Sequence, residues 1–257
     1  MKKQNVVALI AGLLMFIGGI VLAGMTRTAA IAEGASAGSK MIFALSLIVT
    51  VLGIVTVIVS LLPRHKTVDT RTLTMAAMFA ALCYIGFTFF KIDIPVGTEK
   101  TAFHLGNVFC VLAALFLGGF WGGMAGAVGM TIADLTTAYV TSAPKTFILK
   151  LCIGLIAGLV AHKVFKVNQE GHSKRYTTVA TIVSCIAGMG FNVIADPLVG
   201  YFYKMYIMGV PQEAATIWAK MGAVTTLVNA VVAVIAASIL YAAIRPALKR
   251  ANMLPKI

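Results

Sequence analysis

Acidic residues are scarce in this chain. There are eight among 257 positions, against 21 lysines and arginines, and charge of either sign makes up only 11% of the sequence. A water-soluble domain carries about a quarter charged residues, so a soluble globular fold is excluded. Cysteine is sparse as well. Cys83, Cys110, Cys152 and Cys185 all fall inside apolar runs without a CxxC pair, which leaves no disulfide or zinc framework to read. No GxxxxGKS or GxxxxGKT phosphate loop occurs, and no HExxH zinc helix, so nothing points to ATP hydrolysis by this chain or to a metalloenzyme. The reading is of a non-enzyme without cofactor or metal.

What the chain has instead is long apolar runs. Residues 6–25, 41–62, 72–90 and 221–244 carry no charge, and each run is 19 to 24 residues long. Each suffices to cross a hydrocarbon core of about 30 Å at about 1.5 Å per residue. Residues 101–133 are also uncharged but too long for one span, and GGFWGG at 118–123 offers a turn near the middle. Residues 147–161 contain only Lys150, and 176–203 only Asp196. The pattern predicts an all-α polytopic membrane protein of eight spans, the fold that satisfies every backbone polar group within lipid. The N-terminal run resembles a signal peptide, but its apolar core exceeds the usual ~7–15 residues, which favours a retained span. The basic stretch PRHKTVDTR at 63–71 marks a boundary between a two-helix extension, residues 1–69, and a six-helix core, residues 70–257.

The net charge of +13 follows topology rather than nucleic acid. With the N-terminus in the cytosol and eight alternating spans, 13 basic residues fall inside, seven outside, and Lys150 within a span. That bias obeys the positive-inside rule and adds some attraction to anionic lipid. Both termini are then cytoplasmic.

This orientation gathers the intramembrane polar residues in the outer leaflet. His104 and Asn107 open the fourth span and Asp134 closes the fifth. Lys150 lies about 9 Å into the sixth, and Asn229 roughly 13 Å into the eighth. Asn192 and Asp196 occupy the outer half of the seventh, with Lys145 at the start of the sixth. Several recur at helical spacing: Gly188, Asn192, Asp196 and Gly200; Thr146, Lys150, Gly154 and Gly158; Gly122, Gly126, Met130 and Asp134. Residues three or four apart share a helix face. A charged group facing lipid costs at least ~2.5–3.5 kcal/mol, so these stripes should face a polar cavity. The plainer reading is that Asp134, Asp196 and Lys150 pair to hold the bundle together. Pro197 frees the carbonyl of Val193, either to line that cavity or as an ordinary kink. Overlapping GxxxG pairs in 117–130 and the Ala76/Ala80 and Ala77/Ala81 ridge signal close helix packing. Phe103, Tyr139, Tyr201, Tyr203, Tyr206 and Trp218 read as an interfacial aromatic belt, one or two of them available to stack on a ligand.

FHLGNVFCVLAALFLGGFWGGMAGAVGMTIADL, followed by APKTFILKLCIGLIAGLVAH, resembles the substrate-binding S component of energy-coupling factor (ECF) transporters, in the branch of riboflavin-type and related vitamin carriers. The resemblance spans residues 70–245. It implies a six-helix domain in the cell membrane that captures a water-soluble vitamin from outside. It also implies docking on a transmembrane T component that carries two cytosolic ATPases, through an alanine ridge matching Ala76, Ala77, Ala80 and Ala81. Carried onto matching positions, the pocket would include His104, Asn107, Asp134, Lys150, Asn192 and Asn229, with Asp196 and Lys145 behind them. The two N-terminal helices depart from the family pattern.

Two other classes stay open at this level. A self-sufficient secondary transporter would use Asp134, Asp196 and Lys150 for ion coupling, yet shows no inverted repeat here. A non-transporting scaffold would need no cavity. The vitamin itself is open too: with both charge signs present, riboflavin, pyridoxine and pyrimidine types all remain.

Overall fold

The computed structural model describes residues 69–251 apart from 98 and 170, then Met253 and Leu254, together with scattered positions between 11 and 56. The chain divides into two compact units, residues 1–66 and 67–257. The two N-terminal spans expected at 6–25 and 41–62 fall mostly outside the described residues, and the account below concerns the second unit.

Helix α1, Thr70–Thr88, starts where the Asp69 side chain accepts from the Arg71 N–H at 3.4 Å. An antiparallel hairpin follows, β1 (Lys91–Val96) and β2 (Glu99–His104), with Asp93 opposite Ala102 and Lys91 opposite His104. Next come α2 (Gly106–Leu135), α3 (Ala143–Leu159), α4 (Lys174–Phe202) and α5 (Gln212–Arg250). A π-helical turn extends α3 to Val164 and another extends α4 to Ile207. With those extensions, five helices among the described residues are long and apolar enough to cross a membrane.

The unit is predominantly helical, as expected, and the hairpin changes one local reading. The lack of charge at residues 101–104 predicts the start of a span, but they are strand, and the helix begins at Gly106. His104 and Asn107 therefore share no helix face. The expected turn in GGFWGG is present within α2. Gly118 has φ +80° and ψ 173°, a conformation that suits glycine alone, and it breaks the helix. Beyond the break the chain folds back: a Cβ on Gly122 would land on the Ala114 backbone, and one on Gly126 on the Cys110 side chain. In an unbroken helix, positions eight and sixteen apart would be about 12 and 24 Å from each other. The first half of α2 thus becomes the central element of the bundle, every residue from Cys110 to Leu117 being at most 3% exposed.

Helix α3 lies against the returning half at the same close range. A Cβ on Gly154 would meet the Gly123 backbone, and one on Gly158 the Gly119 backbone. Apolar faces gain little by leaving lipid for one another, so such contact-distance packing is what holds membrane helices together. The ridge on α1 splits between two faces. Ala76 is buried and Ala80 half-buried, its carbonyl lying where a Cβ on Gly129 would fall; Ala77 and Ala81 are exposed.

Gly154→Ala should therefore lower the thermal midpoint of the purified protein, at a cost of roughly 1–3 kcal/mol for overpacking. Gly190→Ala, where a Cβ meets nothing within 4 Å, should not lower it. Equal midpoints for Gly154→Ala and the wild type would contradict the glycine seam.

Candidate functional site

The reversal of direction at each connection brings ends of all five helices, both ends of α2 among them, and the hairpin to one end of the bundle. There they enclose a hollow of about 80 Å³, open at its mouth. All eight residues singled out from the sequence line it: His104 on β2, Asn107 and Asp134 at the two ends of α2, Lys145 and Lys150 on α3, Asn192 and Asp196 on α4, and Asn229 on α5.

These residues are not in equivalent situations. Lys145 donates to Asp196 across 2.8 Å, and Thr226 donates to the other carboxylate oxygen at 2.9 Å. Asp196 is thus already neutralised and hydrogen-bonded, and the pair joins α3, α4 and α5. In this respect the plainer reading, charges that hold the bundle together, describes Lys145 and Asp196. It does not describe Lys150. This ammonium is 6% exposed, and among the described residues no carboxylate comes within 4 Å of it. Asp134, 2% exposed, likewise has no ion pair, and its Oδ2 has no hydrogen-bond partner. Buried and without a partner as well are Asn107 Oδ1, Asn192 Oδ1, His104 Nδ1 and Trp218 Nε1. An unsatisfied buried polar atom costs about 1–3 kcal/mol, and five such atoms, on Asn107, Asp134, Asn192, His104 and Trp218, lie at this one cavity.

Asn229 is engaged by protein. Its Oδ1 accepts from the His104 N–H and its Nδ2 donates to the Ala102 carbonyl, both at 3.0 Å. On the opposite strand the Tyr139 hydroxyl donates to Asp93 at 2.9 Å, and Lys91 pairs with the same carboxylate oxygen at 3.2 Å. Burial alone would raise the Asp93 carboxyl, but the Tyr139 hydroxyl and Lys91 hold it below its ordinary range.

Aromatic rings close the remaining sides. Phe87 meets His104 edge-on, with centroids 4.6 Å apart, and also meets Tyr139. The Trp218 ring lies near two ammoniums, Lys204 at 4.1 Å and Lys145 at 5.3 Å from its centroid. Of the expected belt, Tyr139 and Trp218 line the cavity, while Phe103, Tyr201, Tyr203 and Tyr206 do not. Neither Val193 nor Pro197 lines it, so the proline is a feature of the helix rather than of the site. Residues not singled out include Lys100, Ser142, Thr225 and Thr226. A signal for the last two was present: Trp218, Gly222, Thr225, Thr226 and Asn229 step by three and four along α5.

GASAG at 34–38 matches the GxSxG spacing of hydrolases. Ser36 is exposed, and its hydroxyl bonds to Ser39 at 3.3 Å. It carries no triad among the described residues, and no group of histidine, cysteine and acidic residues there could hold a metal ion.

Burial, and after it the charge of Lys150, push the His104 imidazole down to about 3. The folded value lies below the ordinary one, so the neutral ring contributes stability that is intact above pH 6.5 and is lost as pH falls toward 3. The thermal midpoint should accordingly drop further between pH 7.5 and pH 5 in the wild type than in His104→Gln. Equal drops would contradict a buried neutral imidazole.

Comparison with curated proteins and with solved structures finds no match. A protein-family model, described as ECF-type riboflavin transporter, S component, matches residues 66–246, about 70% of the chain. The matched stretch contains all five long helices except the last few residues of α5, and every residue of the cavity. The chain therefore belongs to the S components of ECF transporters: it is a multi-pass plasma-membrane protein that serves as a substrate-binding transport subunit and not as an enzyme.

Proposed function

We propose that this subunit captures a small water-soluble vitamin or vitamin precursor of riboflavin, pyridoxine or pyrimidine type in the cavity described above, from outside the cell. It then docks on a transmembrane T component that carries two cytosolic ATPases. The observation that carries the reading is the convergence on one hollow of Lys150, buried with no ion pair among the described residues, and the partnerless buried oxygens of Asp134, Asn107 and Asn192. A scaffold would have no reason to leave these groups unsatisfied. Ion-coupled secondary transporters often carry inverted repeats with the site near the membrane midplane, whereas this polar set lies at one end of the bundle.

The charge arrangement narrows how a ligand would sit. Asp196 is occupied by Lys145 and Thr226, so the groups left for a guest are the Lys150 ammonium and the Asp134 carboxylate. A flat heterocycle with an acceptor edge toward Lys150 and a donor edge toward Asp134 would satisfy both. Phe87, Tyr139 and Trp218 would supply the stacking surfaces. The basic residues of the connection between α3 and α4 and of the end of α5 would lie in the cytosol, with the cavity on the outer side.

The test begins with mass spectrometry of the small molecule that co-purifies with the protein. For that molecule, Lys150→Ala and Asn192→Ala should each raise the dissociation constant at least tenfold, about 1.4 kcal/mol, with unchanged membrane insertion. Unchanged constants in both would remove them from the site.

Docking is assigned to the outward pair on α1. Ala77→Leu with Ala81→Leu should abolish uptake in cells that supply the T component and ATPases while leaving binding intact. Normal uptake in that double variant would discard this face. Purified protein that moved its ligand down an ion gradient in vesicles would overturn the subunit reading itself.

A further inference from the structure

Asn229 sits within the longest helix of the unit, 6% exposed, and spends its carboxamide on backbone. In an antiparallel ladder the N–H and C=O of one residue point to the same side. The Ala102 carbonyl and His104 N–H that reach Asn229 lie on the free edge of β2, facing away from β1. The side chain of one helical residue thus takes the place of a third strand. A two-stranded hairpin is at best marginally stable in isolation, so its position depends on such ties. The other tie is the Tyr139 hydroxyl on Asp93 of β1. Between them, β2 contributes Lys100, Thr101, Ala102 and His104 to the wall of the cavity.

We propose that Asn229 is a positioning residue that latches the hairpin over the cavity and so sets how readily molecules pass in and out, without contacting the ligand itself. This rests on the cavity being the substrate site, but the latch is a property of the chain and can be read with no ligand present. The residue type suits the task. An aspartate could accept from His104 but could not donate to Ala102, and alanine would leave both backbone groups unpaired in a buried place.

The test uses the full chain in lipid nanodiscs, without ligand, by hydrogen–deuterium exchange. In Asn229→Ala the peptides covering residues 91–104 should exchange at least tenfold faster, while those of α2 and α3 keep wild-type rates. Asn229→Asp should restore part of the protection. As a second readout, a thiol at Thr225→Cys should react with a charged methanethiosulfonate at least tenfold faster when Asn229→Ala is added. Should Asn229→Ala not fold, Tyr139→Phe loosens the other tie and should speed exchange in β1. Wild-type exchange of the hairpin in these variants, or equally faster exchange throughout the bundle, overturns the latch. Failure of the vitamin-uptake reading would leave both readouts unaltered, so the two outcomes are separable.

Discussion

The governing constraint is that hydrocarbon offers no partner to a polar group. A chain with Asp134, Lys145, Lys150, Asn192, Asp196 and Asn229 in otherwise apolar helices has to bring them together, pair them, or keep them wet. This structure pairs some and leaves others. Lys145, Asp196 and Thr226 form a closed set that fastens three helices. Asn229 is spent on the hairpin. What remains are the partnerless oxygens of Asp134, Asn107 and Asn192, with Lys150 outside any ion pair among the described residues. The ties that fix the bundle and the atoms left for the proposed ligand thus come from the same collection of residues, divided by geometry.

The glycine seam makes that division possible. Because α2 breaks at Gly118 and returns against its own first half, Asn107 and Asp134 arrive at the same end of the bundle although they are 27 residues apart. Because Gly154 and Gly158 let α3 approach backbone to backbone, Lys150 enters the interior rather than the lipid. Larger residues along this seam would force the helices apart and widen the cavity between them. Packing of small residues and chemistry of the pocket are in this sense one feature of the fold.

Much of this was legible in the sequence, for a physical reason. A charged or amide residue inside an apolar run is expensive, so its position is informative, and the three-to-four spacing of Asn192 with Asp196 or Thr146 with Lys150 reports a shared face. The hairpin was not legible. The end of β2 is as apolar as the helix that follows, and lack of charge cannot distinguish a strand at the membrane surface from a buried turn of helix. Pairing was also hidden, because whether Asp196 meets Lys145 or Lys150 is decided by contacts between residues about 50 positions apart. On α1 the phase could not be read. Leu73, Met78 and Leu82 face outward as freely as Met75 and Phe79 face inward, so nothing in the pattern separates Ala76 from Ala77.

The most direct test is an experimental structure of the protein purified from its native membrane with its co-purifying small molecule retained. The account predicts density for that molecule in the hollow beneath the hairpin, within hydrogen-bond distance of Lys150 or Asp134, with the Lys145–Asp196 pair intact. Density elsewhere, or a hollow filled by its own side chains with Lys150 paired to a carboxylate, would contradict it.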